Sequence, residues 1–423
     1  MNSYNIINHL KKNKDIYLLN YLSIIIYIIV FIVLKIKVSE SLMFGTVTDS
    51  WTYLSASNEF YKFSEVGYSN IRPFLYPLVI LVVNQIFGAI GLWILQVLFW
   101  IISINLVFLS IKRVTQNRAL SFVGSLIIAM NSSYIVLTFS ALTETTTIFL
   151  VSLLIYFMSF NVLKLNTLKF FHGCLLILVL LACVKPLFYS IVIFMLIIIL
   201  PFFYFKKYMQ TPKSLIYLAL ITIPLAYQLT MMKVKYNTFS FSPVVTSLLN
   251  NYFLPQGVQQ SENISWEAAH MKTKNLSTSE ELHYLLENKM VYTGLYFRNM
   301  KLNVKAIPWF VLFHKGSHFS EIKEYQIFVN SVCYYIHIIF IIPILISLYF
   351  VYKRKEMNSY FFLMIVPWFL LYYIFLTIPL SLWEGDRYVV ICLPIWVFLY
   401  SLILNFMFKK NGLFKSINLI CKT

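Results

Sequence analysis

Residues 11–38 read KKNKDIYLLNYLSIIIYIIVFIVLKIKV, a cluster of lysines followed by a long apolar run. The run from Tyr17 to Val38 is long enough to cross roughly 30 Å of hydrocarbon as an α-helix. It is too long for the core of a signal peptide, and it lacks a small-residue cleavage site. This stretch therefore predicts a retained helix that anchors the chain in a membrane.

The rest of the chain has the same apolar character. Of its 423 residues, 60% are hydrophobic and only 12% are charged, whereas soluble domains carry about 25% charged residues. Further apolar runs occupy residues 215–231, 327–350 and 388–408. They are continuous rather than alternating, which argues against a membrane β-barrel, and lipid favours helices because their backbone groups are satisfied internally. The expected fold class is an all-α polytopic membrane protein.

The formal charge of +18 is distributed as a topology signal rather than as a nucleic-acid surface. Basic clusters stand at the ends of apolar runs, and basic residues mark the cytoplasmic ends of membrane helices. Placing these clusters in the cytoplasm predicts about ten spans with both chain ends inside. The predicted spans are 17–38, 89–111, 119–137, 141–160, 170–184, 187–205, 215–231, 327–352, 358–380 and 388–408.

Two segments are predicted to lie outside the membrane on its outer side. Residues 73–87 are short and contain two prolines, so they are interpreted as a juxtamembrane helix at the outer surface, preceded by an outer loop over 39–72. Together with the spans up to residue 231 they form an N-terminal module, 1–231. A large outer loop, 232–326, follows, in which Ser277 and Glu280 predict a capping box that opens a helix. The C-terminal membrane helices then occupy 327–423.

The predicted topology places several polar residues at one level near the outer face. Glu144 is the only carboxylate between Glu65 and Glu262, and an ionisable group at membrane depth is a candidate for function. Structural alternatives stay open for two of these residues. The threonines beside Glu144 hold its carboxylate, or the carboxylate lies in headgroup water, and Lys185 extends to the membrane surface. Asp49, Arg72 and Arg387 share this level.

The order of these residues resembles a known family. The segments that carry the resemblance are Asp49-Ser50-Trp51-Thr52-Tyr53, Arg72-Pro73-Phe74-Leu75-Tyr76-Pro77, Leu142-Thr143-Glu144, Val184-Lys185-Pro186 and Gly385-Asp386-Arg387-Tyr388. They are similar to motifs of the GT-C superfamily of membrane glycosyltransferases, in its protein mannosyltransferase and aminoarabinose transferase branch, which is glycosyltransferase family 39. The resemblance covers about residues 17–205 and becomes thin beyond them.

The resemblance implies an inverting transfer of a sugar from a polyprenyl-phosphate donor to a glycan, lipid or protein acceptor. Asp49 would be the general base, and Glu144 would orient the acceptor or contribute to a metal site. The residues expected to bind the donor phosphate are Arg72, Lys185 and Arg387, and those expected to line the substrate cleft are Tyr53, Tyr76 and Tyr388. The metal requirement is left open: the loop offers His270, His283, His314 and His318, without metal-ligand spacing.

Two other function classes compete with the transferase. A surface-polysaccharide polymerase would also have many spans and a large late loop, and a flippase or transporter of lipid-linked oligosaccharide would have a similar number of helices. A transporter is expected to place its polar site near the bilayer midplane, whereas here the polar residues gather at one face. The sequence thus favours a transferase in the cytoplasmic membrane with its site on the outer face, bound to lipid and not to nucleic acid.

Overall fold

The structure, a computed structural model, describes residues 3–33, 38–39, 43–44, 48–62, 71–160, 168–199, 211–237, 241–242, 249–274, 276–305 and 390–408. Within these ranges all regular structure is helical and no strand occurs, which confirms the all-α prediction for them. The helices long and apolar enough to cross a membrane are Lys14–Val33, Leu75–Thr115, Thr143–Phe160 and Pro212–Tyr236. The shorter apolar helices are Arg118–Ala129, Lys169–Val184, Pro186–Ile197 and Leu393–Leu402.

The total of about ten spans stays a prediction, because the predicted spans 327–352 and 358–380 lie outside the described residues. In chain order the α-helices are α1 (Ser3–Val33), α2 (Thr48–Asn58), α3 (Leu75–Thr115), α4 (Arg118–Ala129), α5 (Ser132–Leu137), α6 (Thr143–Phe160), α7 (Leu168–Val184), α8 (Tyr189–Phe194), α9 (Pro212–Tyr236), α10 (Leu254–Glu262), α11 (Trp266–Thr273), α12 (Thr278–Glu287), α13 (Lys289–Lys305) and α14 (Leu393–Phe408). The 3₁₀ turns are Glu59–Lys62 and Pro186–Phe188, and the π-helical turns are Met195–Ile199 and Leu249–Phe253.

Helix α3 is broken at Gly88. This residue has φ 63° and ψ −165°, a backbone conformation that is not helical and that is open essentially to glycine alone. The break falls between the predicted juxtamembrane helix, 73–87, and the predicted span, 89–111. It separates the two pieces along the chain, while the position of the first piece at the outer surface stays a prediction.

The predicted span 119–137 is interrupted in the structure. Helix α4 ends at Ala129, and α5 begins a new helix after Asn131, whose side chain accepts a hydrogen bond from the Tyr134 N–H at 2.8 Å. An asparagine oxygen satisfies one of the free N–H groups at a helix start, which favours beginning a new helix there. The predicted span 187–205 is described as far as residue 199. Its described part opens with the 3₁₀ turn Pro186–Phe188, continues as α8 and ends in the π-helical turn Met195–Ile199.

The apolar helices α1, α3 to α9 and α14 are called the membrane body here, and α3 packs against α6 at its centre. Phe99 and Phe149 stack there with ring centroids 4.5 Å apart, and the Gln96 side chain donates to the carbonyl of Ser140, just before α6, at 3.1 Å. Helix α7 packs on α6 and α9 packs on α7, while α14 packs on α3 and α4. This arrangement brings the start of α6, the start of α3 and the end of α7 to one end of the body.

Residues 249–305 form a second group of helices, α10 to α13, with a small core of Phe253, Leu254, Tyr292 and Leu295. The Tyr292 hydroxyl donates to the Leu254 carbonyl at 3.1 Å, and burial raises the pKa of Tyr292 to about 12. The predicted capping box is confirmed: the Ser277 side chain accepts from the Glu280 N–H, and the Glu280 carboxylate accepts from the Ser277 N–H. The group lies within the predicted outer loop.

Candidate functional site

The first ion pair of the site joins Asp49 and Arg72. Asp49 is in the first turn of α2, where a carboxylate is favoured by the helix dipole. Arg72 stands just before Pro73, three residues ahead of the start of α3. A terminal nitrogen of Arg72 lies 2.5 Å from Oδ1 of Asp49, and the two side chains are 14% and 28% exposed. The ion pair is thus partly exposed at the surface of the protein.

Two buried tyrosines, Tyr53 and Tyr76, pack next to this ion pair. Tyr53 lies one turn after Asp49 on the same face of α2, so one guanidinium can contact both. The Arg72 guanidinium carbon is 4.7 Å from the centre of the Tyr53 ring, within the range of a cation–π contact. Tyr76, in the first turn of α3, meets Tyr53 edge to face with ring centroids 5.2 Å apart. Both tyrosines are buried.

The second ion pair joins Glu144 and Lys185. The Lys185 amino group donates to the Glu144 carboxylate at 2.7 Å, and the side chains are 8% and 0% exposed. Pro186 explains the position of Lys185, since a residue before proline avoids the helical conformation. Lys185 is extended, with φ −136° and ψ 116°, so α7 ends before it and its side chain reaches the start of α6.

The two ion pairs are carried by segments that pack together. Helix α3, whose first turn contains Tyr76, packs against α6, whose first turn contains Glu144. The backbone N–H of Ala141 donates to the carbonyl of Met43 at 2.8 Å, which joins the first predicted outer loop to the start of α6. We call this group the charged cluster; its members are Asp49, Tyr53, Arg72, Tyr76, Glu144 and Lys185.

The charged cluster contains six of the eight predicted site residues, drawn from three separate parts of the chain. The other two, Arg387 and Tyr388, lie outside the described residues. None of the structural alternatives from the sequence describes this site, and the Glu144 carboxylate is 0% exposed. Lys185 is buried against Glu144 instead of extending to the surface, and the neighbouring threonine hydroxyls do not bond the carboxylate.

No protein-family model, curated protein or solved structure matches this chain. The resemblance to GT-C glycosyltransferases therefore stays an expectation from the motifs. A function for the chain is inferred from the chemistry of the site, because fold class alone does not imply function.

An aromatic wall beside the charged cluster was not predicted from the sequence. Tyr227 of α9 meets Phe74 edge to face with ring centroids 6.2 Å apart. Phe241 stacks on Tyr189 at 4.9 Å, and the hydroxyl of Ser242, the residue after Phe241, donates to the carbonyl of Ile71 at 2.8 Å. These contacts place α9 and the segment after it against the residues next to Arg72. Their sequence signal is weak, since aromatic residues are common throughout the chain.

In the described part of the chain, no three His, Cys, Asp or Glu side chains come together as a metal site requires. His283 pairs with Glu287 at 3.0 Å, and His270 lies beside Trp266 with ring centroids 6.2 Å apart. His314 and His318 lie outside the described residues. A metal requirement stays an open prediction.

Several buried hydroxyl groups in the helix turns that carry the charged cluster lack a hydrogen-bond partner among the described residues. They belong to Ser50, Tyr76, Thr143, Thr145 and Thr146. A buried polar group left without a partner costs about 1–3 kcal/mol, so most proteins contain few of them. Ser50 lies next to Asp49 in α2, Tyr76 lies in the first turn of α3, and the threonines lie in the first turn of α6.

Proposed function

We propose that this chain is an inverting glycosyltransferase that moves a sugar from a polyprenyl-phosphate donor to an acceptor at the outer face of the cytoplasmic membrane. The observation that supports it is the partly exposed Asp49–Arg72 pair, held beside a second, buried ion pair at one end of apolar helices. A partly exposed carboxylate and guanidinium at one end of apolar helices match a reaction that needs a base and a phosphate-binding cation.

In the proposed reaction an acceptor hydroxyl attacks the anomeric carbon of the sugar, and its proton passes to the Asp49 carboxylate. The bond between the anomeric carbon and the phosphate oxygen breaks, and polyprenyl phosphate leaves with the bonding electrons. Arg72 stabilises the negative charge that develops on this phosphate, and stabilisation of developing charge is a large part of catalysis in a site that excludes water.

Lys185 takes a different role in this proposal from the one that the resemblance implied. Its charge is already offset by Glu144, and the pair has little exposure. The Glu144–Lys185 pair therefore acts as a positioning group, which holds the start of α6 against the end of α7 behind the tyrosines. Arg387, which lies outside the described residues, stays a predicted second ligand for the phosphate.

The experiment that tests the proposal measures transfer from a panel of radiolabelled polyprenyl-phosphate sugars in membranes that contain the wild type or Asp49→Asn. We expect the wild type to transfer one of these sugars and Asp49→Asn to lose the transfer at equal protein abundance. Asp15→Asn is the matched control, because Asp15 lies in α1, outside the charged cluster. Its carboxylate is 4.0 Å from the guanidinium of Arg118.

A second variant tests the phosphate role of Arg72. Arg72→Lys keeps the positive charge and removes the planar fork that pairs with carboxylate and phosphate, so we expect a lower rate rather than complete loss.

Equal transfer by wild type and Asp49→Asn would remove Asp49 as the base. Movement of lipid-linked oligosaccharide across the bilayer without any sugar transfer would instead identify a flippase, and elongation of a lipid-linked glycan from oligosaccharide donors alone would identify a polymerase.

A further inference from the structure

The Arg72 guanidinium is held by contacts that come from α2. One of its terminal nitrogens lies 2.5 Å from Oδ1 of Asp49, and its central carbon lies over the Tyr53 ring, 4.7 Å from the ring centre. The backbone beside it is also fixed. The Ser242 hydroxyl donates to the carbonyl of the residue before Arg72 at 2.8 Å, and Pro73 restricts the conformation of Arg72 itself. A carboxylate and an aromatic ring thus both act on a cation that stands on a fixed backbone.

The Tyr53 ring is itself held in place by its surroundings. It is buried, and it meets the Tyr76 ring at 90° with ring centroids 5.2 Å apart. Tyr76 is fully buried in the first turn of α3, so it supports Tyr53 from a helix that packs against α2. Tyr53 therefore presents an already ordered ring to the cation, and an ordered partner loses little conformational freedom when the contact forms.

The two contacts of Arg72 respond differently to the proposed reaction. When the acceptor proton passes to Asp49, the carboxylate becomes neutral and its Coulombic attraction for Arg72 is lost. At this stage negative charge develops on the phosphate that leaves, so the guanidinium is needed in a defined position. The attraction between an aromatic ring and a cation comes from the ring quadrupole. The contact with Tyr53 therefore persists whether or not Asp49 carries the proton.

We propose that Tyr53 is a positioning residue, whose ring keeps the Arg72 guanidinium in place while Asp49 takes up the acceptor proton. This role rests on the proposed glycosyltransferase function, and it differs from the cleft-lining role that the resemblance implied. Tyr53 acts through Arg72, and its ring rather than its hydroxyl group carries the effect.

The test changes the electrostatics of the ring while its shape is kept. Tyr53→Phe retains an aromatic face over Arg72, so its kcat should stay within about twofold of the wild-type value. Phenylalanines that carry one, two or three ring fluorines are then introduced at position 53, because each fluorine weakens the negative face of the ring with little change in size. We expect kcat to fall with each fluorine, to a loss of roughly three- to thirtyfold, while KM for the polyprenyl-phosphate sugar changes little. Tyr53→Leu, which removes the ring, should lower kcat at least as far.

Phe160 provides the matched control. Its ring centre lies 5.5 Å from the guanidinium carbon of Arg113, which is the same type of contact outside the charged cluster. The same fluorinated residues at position 160 should leave kcat unchanged. Thermal unfolding in detergent is measured for each variant, so that a loss of folded protein is not counted as a loss of catalysis.

A kcat that stays the same at every level of fluorination would overturn the positioning role. A loss that is already complete in Tyr53→Phe would also overturn it, because the hydroxyl group would then carry the effect, and so would losses that only follow the loss of folded protein. A wild type that transfers no sugar is a different outcome from an active wild type that is insensitive to fluorination: it would remove the proposed function, and the role of Tyr53 in transfer with it.

Discussion

Replacement of Lys185 by methionine tests how deeply the Glu144–Lys185 pair is embedded in the protein. The variant keeps a long side chain of similar size but removes the cation that lies 2.7 Å from the Glu144 carboxylate. With the carboxylate 0% exposed, water cannot replace the lost charge. Removing one partner of a buried ion pair typically costs about 3–5 kcal/mol. We therefore expect the folding equilibrium constant of Lys185→Met to fall more than roughly a hundredfold.

A matched control uses an ion pair of the same types outside the charged cluster. Lys272 contacts Glu262 at 2.7 Å, but these side chains are 42% and 33% exposed. Solvent screens such a pair, so Lys272→Met should cost between 0 and about 1 kcal/mol. The assay is reversible unfolding in detergent micelles, followed by circular dichroism under identical conditions for both variants.

A double variant separates the loss of charge pairing from the loss of packing. Glu144→Gln combined with Lys185→Met leaves no charge in the buried position, so it should lose less stability than Lys185→Met alone. Equal stability losses for Lys185→Met and Lys272→Met would refute the reasoning. A double variant less stable than Lys185→Met would show that shape, rather than charge, holds α6 to α7.

Three further predictions concern the backbone and the helices outside the membrane body. Gly88→Ala should lower stability by about 1–3 kcal/mol because only glycine adopts its conformation easily, whereas Gly294→Ala, inside α13 with open space around it, should raise stability by about 0.5–1 kcal/mol in the same thermal melts. Hydrogen bonds from Ser277 lower the pKa of Glu280. The ionised Glu280 therefore stabilises the fold above the ordinary glutamate pKa, and this stabilisation is lost as pH falls through the lowered pKa. Ser277→Ala should flatten this part of the profile of stability against pH. Burial raises the pKa of Tyr292 to about 12, so its contribution is complete below pH 10 and declines as pH rises towards 12, and absorbance titration of Tyr292→Phe should show one high-pH tyrosine fewer.

The helical class could be predicted because it depends on local properties of the chain. Long apolar runs must form helices in lipid, and the break at Gly88 falls where the sequence separates a short proline-containing segment from a full span. The capping box at Ser277 and Glu280 also depends on residues three apart, so it was predicted and confirmed. The interruption at Asn131 was missed, because an apolar run hides a single capping residue.

The candidate site was predictable as a set of residues and not as an arrangement. The sequence determined that Glu144 stands at the start of a helix and that Pro186 ends a helix next to Lys185, because these are effects of neighbouring residues. Asp49 was predicted to lie in a loop, and the structure places it in the first turn of α2. Only the tertiary structure decided that Arg72 pairs with Asp49 and Lys185 with Glu144, since the partners are 23 and 41 residues apart. The physical reason is that the packing of α3, α6 and α7 sets which helix ends meet, and charge alone would have allowed either carboxylate to pair with either cation.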